Sequence, residues 1–281
     1  MEYEVLAPLG QLGALGLIIE AGADAVYAGL YGFSSRPNGA DLSLDELRRA
    51  RELSARSGVK LFVAINTFVS HTQMDELMRQ LEQLDNLGAD AVVIADWGLL
   101  AAAHEIVKRA HLHASTLLGV YNTETVRFLQ AMGVTRVVLS TNMYLNEIHR
   151  IVKEVPGVDY EIIASGGLCG NDNRQCELPH IGDASHYRVA CRMAYQLRGE
   201  GVAPRAAKPL TLPQVQLGSV LGQYMSLGIR SFKIEGRTLP MDTICRRTAH
   251  LRKAVDFFLA DQANFIGYNP YFNRTCAGEL Q

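Results

Sequence analysis

The stretches 22-GADAVYAG-29 and 88-GADAVVIA-95 are two copies of one phrase. Each opens on a glycine, passes through Ala-Asp and runs into nearly unbroken apolar residues. A glycine suits the left-handed position just past a helix, and the run after it suits a strand buried on both faces. The phrase therefore reads as helix end, short turn and parallel strand, used twice. Working outward, further strand-like runs are 3-YEVLAP-8, 59-VKLFVAIN-66, 111-HLHAST-116, 135-TRVVLST-141, 159-DYEIIASG-166 and 230-RSFKIEG-236. With the two copies of the phrase, that makes eight runs. Gly22, Gly58, Gly88, Gly133, Gly157 and Gly228 each precede one of them.

Helical patterns fill the intervals. Ser43 and Glu46 form a capping-box pair, followed by an apolar face of Leu44, Leu47 and Leu53. Met74, Leu77, Met78, Leu81 and Leu84 make a stripe suited to packing on a sheet. Other helices are expected near 10–21, 97–109, 123–132, 144–154, 213–227 and 241–260. Eight strands, each followed by a helix, predict an α/β fold, a (β/α)8 TIM-barrel-like parallel barrel. The rival is an open doubly wound sheet, since sequence does not show closure. The rhythm breaks once, at a cysteine-bearing insertion of about 167–229 between strands seven and eight, within which 198–211 reads as a loop. The expected organisation is one barrel domain over 1–262 and a C-terminal tail over 263–281.

Composition is that of a globular chain, with 48% apolar and 20% charged residues, and no apolar run is long enough for a membrane span. The N-terminus is acidic where an export signal would be basic, so a cytoplasmic location is expected. The net charge of −2 gives no overall pull toward nucleic acid. Arg48, Arg49, Arg51 and Arg56 share a helix with Asp45, Glu46 and Glu52, which reads as a solvated face.

Cys169, Cys176, Cys191 and Cys245 have the spacing C-x6-C-x14-C-x53-C. Structural zinc sites favour close C-x2-C pairs, which are missing here. Widely spaced single ligands suit an iron–sulfur cluster, with zinc the lesser possibility, and spacing alone does not decide. Cys276 lies in the tail, apart from these four. Strand ends on the C-terminal face of a barrel carry its chemistry. That rule makes His113, Glu235 and Arg237 candidates for catalysis, and Tyr27, Asn66, Ser115 and Asn142 candidates for substrate binding. Glu161 joins the catalytic group, and Arg237 is expected either to clamp a substrate carboxylate or to pair structurally with Glu161 or Glu235. His113 and Ser115, two apart on one strand, do not meet in Ser–His geometry.

The segments 3-YEVLAPLGQLGAL-15, 20-EAGADAVYAGL-30, 65-INTF-68, 113-HAST-116, 161-EIIASGGLCGNDNRQC-176 and 229-IRSFKIEGRT-238 resemble the peptidase U32 family over most of the chain. The resemblance implies a barrel-like domain whose four cysteines hold a [4Fe-4S] cluster. Despite the family name, similar proteins are implicated in oxygen-independent hydroxylation of ubiquinone precursors or RNA bases, with prephenate the oxygen source for some. The chain departs from the family pattern at Ile163, Gly167 and Thr141-Asn142, and lacks a C-K-G-R-Y type segment after Cys191, so Cys245 stands in as fourth ligand.

The expected function is hydroxylation of a small aromatic or quinone-precursor substrate by a cluster-bearing enzyme that is not a true protease. RNA-base hydroxylation is an alternative that the charge does not favour. A peptidase lacks a nucleophile–base pair and an H-E-x-x-H motif. A non-catalytic, cluster-bearing subunit is a further alternative, with a related chain or a homodimer as partner.

Overall fold

The computed structural model describes residues 3–35, 40–167, 195–199, 202–207, 214–218 and 220–262. Cys169, Cys176, Cys191, Cys276, His180, His186 and the tail from 263 lie outside them. The strands are β1 (Glu4–Pro8), β2 (Ala25–Leu30), β3 (Asp41–Leu42), β4 (Lys60–Ile65), β5 (Ala91–Ile94) and β6 (His111–Ala114). They continue as β7 (Val134–Val138), β8 (Asp159–Gly167), β9 (Tyr195–Gly199), β10 (Val202–Ala207), β11 (Gln214–Gln216) and β12 (Ser231–Ile234). The helices are α1 (Leu15–Glu20), α2 (Leu44–Arg56), α3 (Met74–Asn86), α4 (Trp97–Ile106), α5 (Thr123–Ala131), α6 (Leu145–Glu154), α7 (Leu221–Ser226) and α8 (Met241–Ala260).

Eight parallel strands follow one another around a ring in the order β1-β2-β4-β5-β6-β7-β8-β12. Closure comes from β1 beside β12, with Glu4 opposite Ser231 and Leu6 opposite Lys233. An open doubly wound sheet is thereby excluded.

The repeated phrase has a structural counterpart. Asp24 accepts the Val5 N–H at 2.7 Å through its carboxylate, and its carbonyl accepts the Lys60 N–H. Asp90 does the same two units on, taking the Leu61 N–H at 2.8 Å and the His111 N–H. Each aspartate thus ties the entry of its own strand to both neighbours. A helix arginine backs each one, Arg252 at 2.8 Å from Asp24 and Arg51 at 3.6 Å from Asp90. The glycine opening each phrase has positive φ, +93° at Gly22 and +82° at Gly88, as a helix stop requires.

Three details differ from the sequence expectation. On α2, Leu47, Ala50 and Ser54 are buried while Leu53 is exposed, because a stripe advancing by three and four residues from Leu47 passes Leu53 by. The stretch read as a loop contains the end of β9 and the whole of β10, which form an antiparallel hairpin. Its register breaks between Val202 and Arg205, where Pro204 has no N–H to give. The helix expected over 213–227 shrinks to α7. Residues 214–216 instead run antiparallel along the end of β8, opposite Ser165–Gly167.

Successive residues of a strand face opposite sides, so the barrel sorts its side chains into two populations. Outward-facing residues such as Val5, Val26, Leu61, Val63, Val92 and Phe232 join the helix stripes in one apolar layer. Leu6, Ala25, Tyr27, Phe62, Ala64, Ala91 and Val93 form a separate, smaller cluster inside the ring. Among the described residues no helix is long and apolar enough to cross a membrane.

Candidate functional site

The interior of the barrel is only half apolar. Glu4, Lys60, Arg136, Glu161, Ser231 and Lys233 sit on alternating strand positions and meet in one network. Arg136 contacts Glu4, lies 3.5 Å from Glu161 and donates to the Ser231 hydroxyl at 3.2 Å. Ser231 in turn donates to Glu4 at 2.9 Å. Lys60 reaches Glu4 at 3.1 Å, and Lys233 reaches the other oxygen of Glu161 at 3.1 Å. Burial opposes ionisation of Glu4, but Arg136 and Lys60 outweigh it and hold the carboxyl below its usual range. Burial likewise opposes the charge on Arg136, and Glu4 and Glu161 reverse that, raising its pKa.

Toward the mouth the interior becomes aromatic. The Lys233 ammonium lies 4.3 Å from the centre of the Tyr27 ring, and the Arg136 guanidinium lies 5.3 Å from that of Phe62. The Tyr27 hydroxyl donates to the Ile234 carbonyl at 3.0 Å. His113 packs edge-on against Phe62 at 4.9 Å. It is buried, and its Nδ1 has no hydrogen-bond partner. Burial first, then the positive charge of Arg136, pushes the His113 pKa well down, so the ring is neutral at neutral pH. The Ser165 hydroxyl, near the end of β8, is also buried without a partner.

The candidates named from sequence fall into several places. Glu161 is deep in the ion network, where its contacts are to Arg136, Ser231 and Lys233. Arg237 pairs with neither Glu161 nor Glu235, correcting that expectation. It binds Asp41 at 2.9 Å and the Ser34 hydroxyl at 2.5 Å, clamping the connection between β2 and β3. Gly29 makes room for this clamp, since a Cβ there would fall 1.8 Å from the guanidinium. Glu235 sits at the mouth and accepts the Gly167 N–H at 3.3 Å. Tyr27 lies between Lys233 and Arg237, the latter 5.9 Å from its ring centre. Asn66 accepts the Ser35 N–H at 3.1 Å, anchoring the loop that Arg237 also holds. Ser115 caps a short turn by accepting the Leu117 N–H at 3.2 Å, and Asn142 is exposed after β7. The structure thus unites Tyr27, Glu161 and Arg237 through Lys233 and the Tyr27 ring, and leaves Ser115 as a local cap.

Lys233, Glu4 and Arg136 were missed as interior residues. Their signal was present, because each is a charge inside an otherwise apolar strand run. Lys233, Glu235 and Arg237 also alternate, which places all three on one face of their run.

Of the four cysteines, Cys245 alone is described. It is half-buried on the second turn of α8, against the apolar layer outside the barrel. Burial, then Asp242 and Glu20, pushes its thiol pKa up. No group of three or more His, Cys, Asp or Glu suited to a metal occurs among the described residues.

The C-terminal rim holds one more feature. A cavity of about 550 Å³ opens where the connections after β4, β5 and β6 meet the start of α5, lined by Phe68, Trp97, Leu118 and Phe128.

Comparison with known proteins adds the chemistry. The chain is 30% identical over 271 residues to the 23S rRNA 5-hydroxycytidine C2501 synthase of Escherichia coli K12, covering 93% of this chain and 40% of that protein. It is 28% identical over 279 residues to the tRNA hydroxylation protein P1 of Bacillus subtilis 168, covering 94% of this chain and 65% of that one. The chain therefore spans less than two thirds of either relative. Both are named for RNA hydroxylation. That overturns the expectation of a small aromatic or quinone-precursor substrate, and with it the expectation that RNA is disfavoured as a partner. The net charge misled because phosphate contacts depend on local patches, which a whole-chain sum averages away. Among solved structures, the U32 peptidase Mk0906 superimposes with a TM-score of 0.50 at 14% identity, over 60% of this chain and 70% of that one, a likeness of fold. The profile of peptidase family U32 matches residues 10–279, and the chain belongs to that family.

Proposed function

We propose that this chain serves the hydroxylation of a base in tRNA or rRNA. The observation that supports this most is the extent of the matches. Two proteins named for RNA hydroxylation align with 93% and 94% of the chain, so the likeness takes in the barrel and its mouth. On this reading the rigid lower interior holds the strands in register. The mouth, with Tyr27, Lys233 and the neutral His113, receives the base. A neutral imidazole with an open nitrogen suits a base edge, because it can donate or accept a hydrogen bond.

A [4Fe-4S] cluster belongs to the same proposal. The end of β8 fits it. Glu235 holds the Gly167 N–H at the mouth, two residues before Cys169, so the cysteine-bearing segment leaves the barrel on the side where chemistry is expected. Cys169, Cys176 and Cys191 would hold the group, which supplies electron transfer when bound. The surroundings of Cys245 do not fit the role of fourth ligand.

The test is nucleoside mass spectrometry of tRNA and rRNA from a strain lacking this gene. Loss of one hydroxylated nucleoside, restored by the intact chain but not by Cys169→Ala, is the expected result. An unchanged set of hydroxylated nucleosides overturns the proposal.

A further inference from the structure

We propose that the aromatic cavity on the C-terminal rim is a stacking site for one unpaired RNA base, with a preference for bases carrying an exocyclic amine. This rests on the RNA reading above and adds where a base is held.

Three rings from three separate connections converge there. Phe68 follows β4, Trp97 opens α4 and Phe128 lies on α5, and all three line the same cavity of about 550 Å³. They are 48%, 42% and 56% exposed, three partly open rings gathered at one place on the rim. Trp97 and Phe128 have centroids 6.0 Å apart at an interplanar angle of 50°, so neither ring lies flat on the other. The floor is Leu118 and the backbone of Gly119. The cavity is thus an apolar slot with tilted aromatic walls, the form that unstacked bases use on proteins.

Its polar groups select among occupants. Among the described residues no lysine or arginine lines it, so a phosphate finds no counter-charge from them there. The lining does include Glu124 and Thr125. The Thr125 hydroxyl donates to Asn122 at 3.0 Å, which leaves its lone pairs to accept. The Glu124 carboxylate, paired outward with Arg127, accepts only. An edge made of acceptors fits the amine of cytosine or adenine better than the carbonyl at the same place in uracil. A protein partner is the poorer fit, because a stable interface buries roughly 800 Å² on each side. A slot rimmed by three side chains is much smaller.

The chain contains a single tryptophan, so emission from Trp97 reports on this cavity alone. Single-stranded cytidine and uridine hexaribonucleotides and an abasic hexamer are titrated against the full chain, and binding is followed independently by anisotropy of labelled RNA. The expected result is quenching by the cytidine hexamer, weaker quenching by the uridine hexamer and none by the abasic one. Phe128→Ala should weaken binding about tenfold with an unchanged melting temperature, and Glu124→Gln should narrow the cytidine preference. Trp97→Phe should keep most of the anisotropy change. RNA that binds by anisotropy while Trp97 emission stays constant overturns the stacking site and leaves the RNA reading intact. Wild-type binding by Phe128→Ala and Phe68→Ala does the same. Trp97 emission that follows protein concentration rather than RNA, with dimers in light scattering, makes the surface a protein interface and overturns the proposal. Absence of RNA binding overturns it too, and the nucleoside assay then decides separately whether the functional reading also falls.

Discussion

The two faces of the same eight strands have been given opposite chemistry. The outer face meets the helices through Val, Leu, Ile and Phe, and its core residues are close to fully buried. The inner face carries Glu4, Arg136 and Glu161, also buried, and the partly buried Lys233. Burying apolar area stabilises by roughly 25 cal/mol per Å², whereas burying an ion pair roughly breaks even against desolvation. The outer layer therefore supplies most of the stability. The inner network supplies geometry: a fixed arrangement of charges beneath a mouth of Tyr27, His113 and Glu235.

That contrast is most exposed to attack at Arg136. Arg136→Met leaves Glu4 partly stranded, with Lys60 and the Ser231 hydroxyl as its remaining partners, weakens the hold on Glu161, and should cost about 4 kcal/mol in urea denaturation. Adding Glu4→Gln should recover part of the loss, because the stranded charge is removed. A single variant costing less than about 1 kcal/mol would mean that water reaches the network. On the outer face, Leu81→Ala removes a fully buried side chain and should cost about 3 kcal/mol, with no recovery from any change inside the barrel.

At the boundary between regions stands Arg237. Its pair with Asp41 is almost fully buried, so Arg237→Lys should lose about 2 kcal/mol, with melting temperature and activity falling together. Activity lost at constant stability would instead place Arg237 on the substrate.

His113 gives a pH signature. Its folded pKa lies well below the ordinary 6.5, so between those two values the unfolded chain binds more protons. Stability should therefore decline as pH drops below about 6.5, by up to roughly 1.4 kcal/mol per unit. His113→Gln should flatten that window and leave the acid loss from Glu4, below its usual 4.5, in place. The smallest effect is expected at Cys245, which belongs to the outer layer. Cys245→Ser should leave iron per chain unchanged after anaerobic purification, and a fall in iron would return it to the cluster.

How far these regions could be read beforehand differs in the same way. The strands and the outer layer announce themselves locally, through apolar runs and the glycines before them. Gly22 and Gly88 alone locate two helix ends and two strand starts. The inner network is non-local. The partners of Arg136 lie 132, 95 and 25 residues away at Glu4, Ser231 and Glu161, and no spacing rule connects them. The clamp on Arg237 hides for the same reason, since Asp41 is 196 residues distant and sits in an unremarkable loop-edge strand. Trp97 and Phe128 each look like ordinary helix residues until the barrel sets their helices side by side. The cysteine spacing raises the expectation of a metal centre, and three of its four members lie outside the described residues. The choice of Cys245 rests on the missing C-K-G-R-Y type segment, and a missing motif does not show which way a helix residue faces.

Closure of the ring through β1 and β12 has a consequence for how the chain is made. Glu4 leaves the ribosome well before its hydroxyl partner Ser231, which arrives 227 residues later. Until then β1 lacks one neighbour, β8 lacks another, and the carboxylates of Glu4 and Glu161 wait without their full complement of donors. Seven strands can assemble as synthesis proceeds, but an open ring has two unpaired edges and a solvated interior. Arrival of β12 closes the edges, dries the interior and completes the charge network in one step. The last strand therefore acts as a keystone, and a release from chaperones timed to its emergence would suit this barrel.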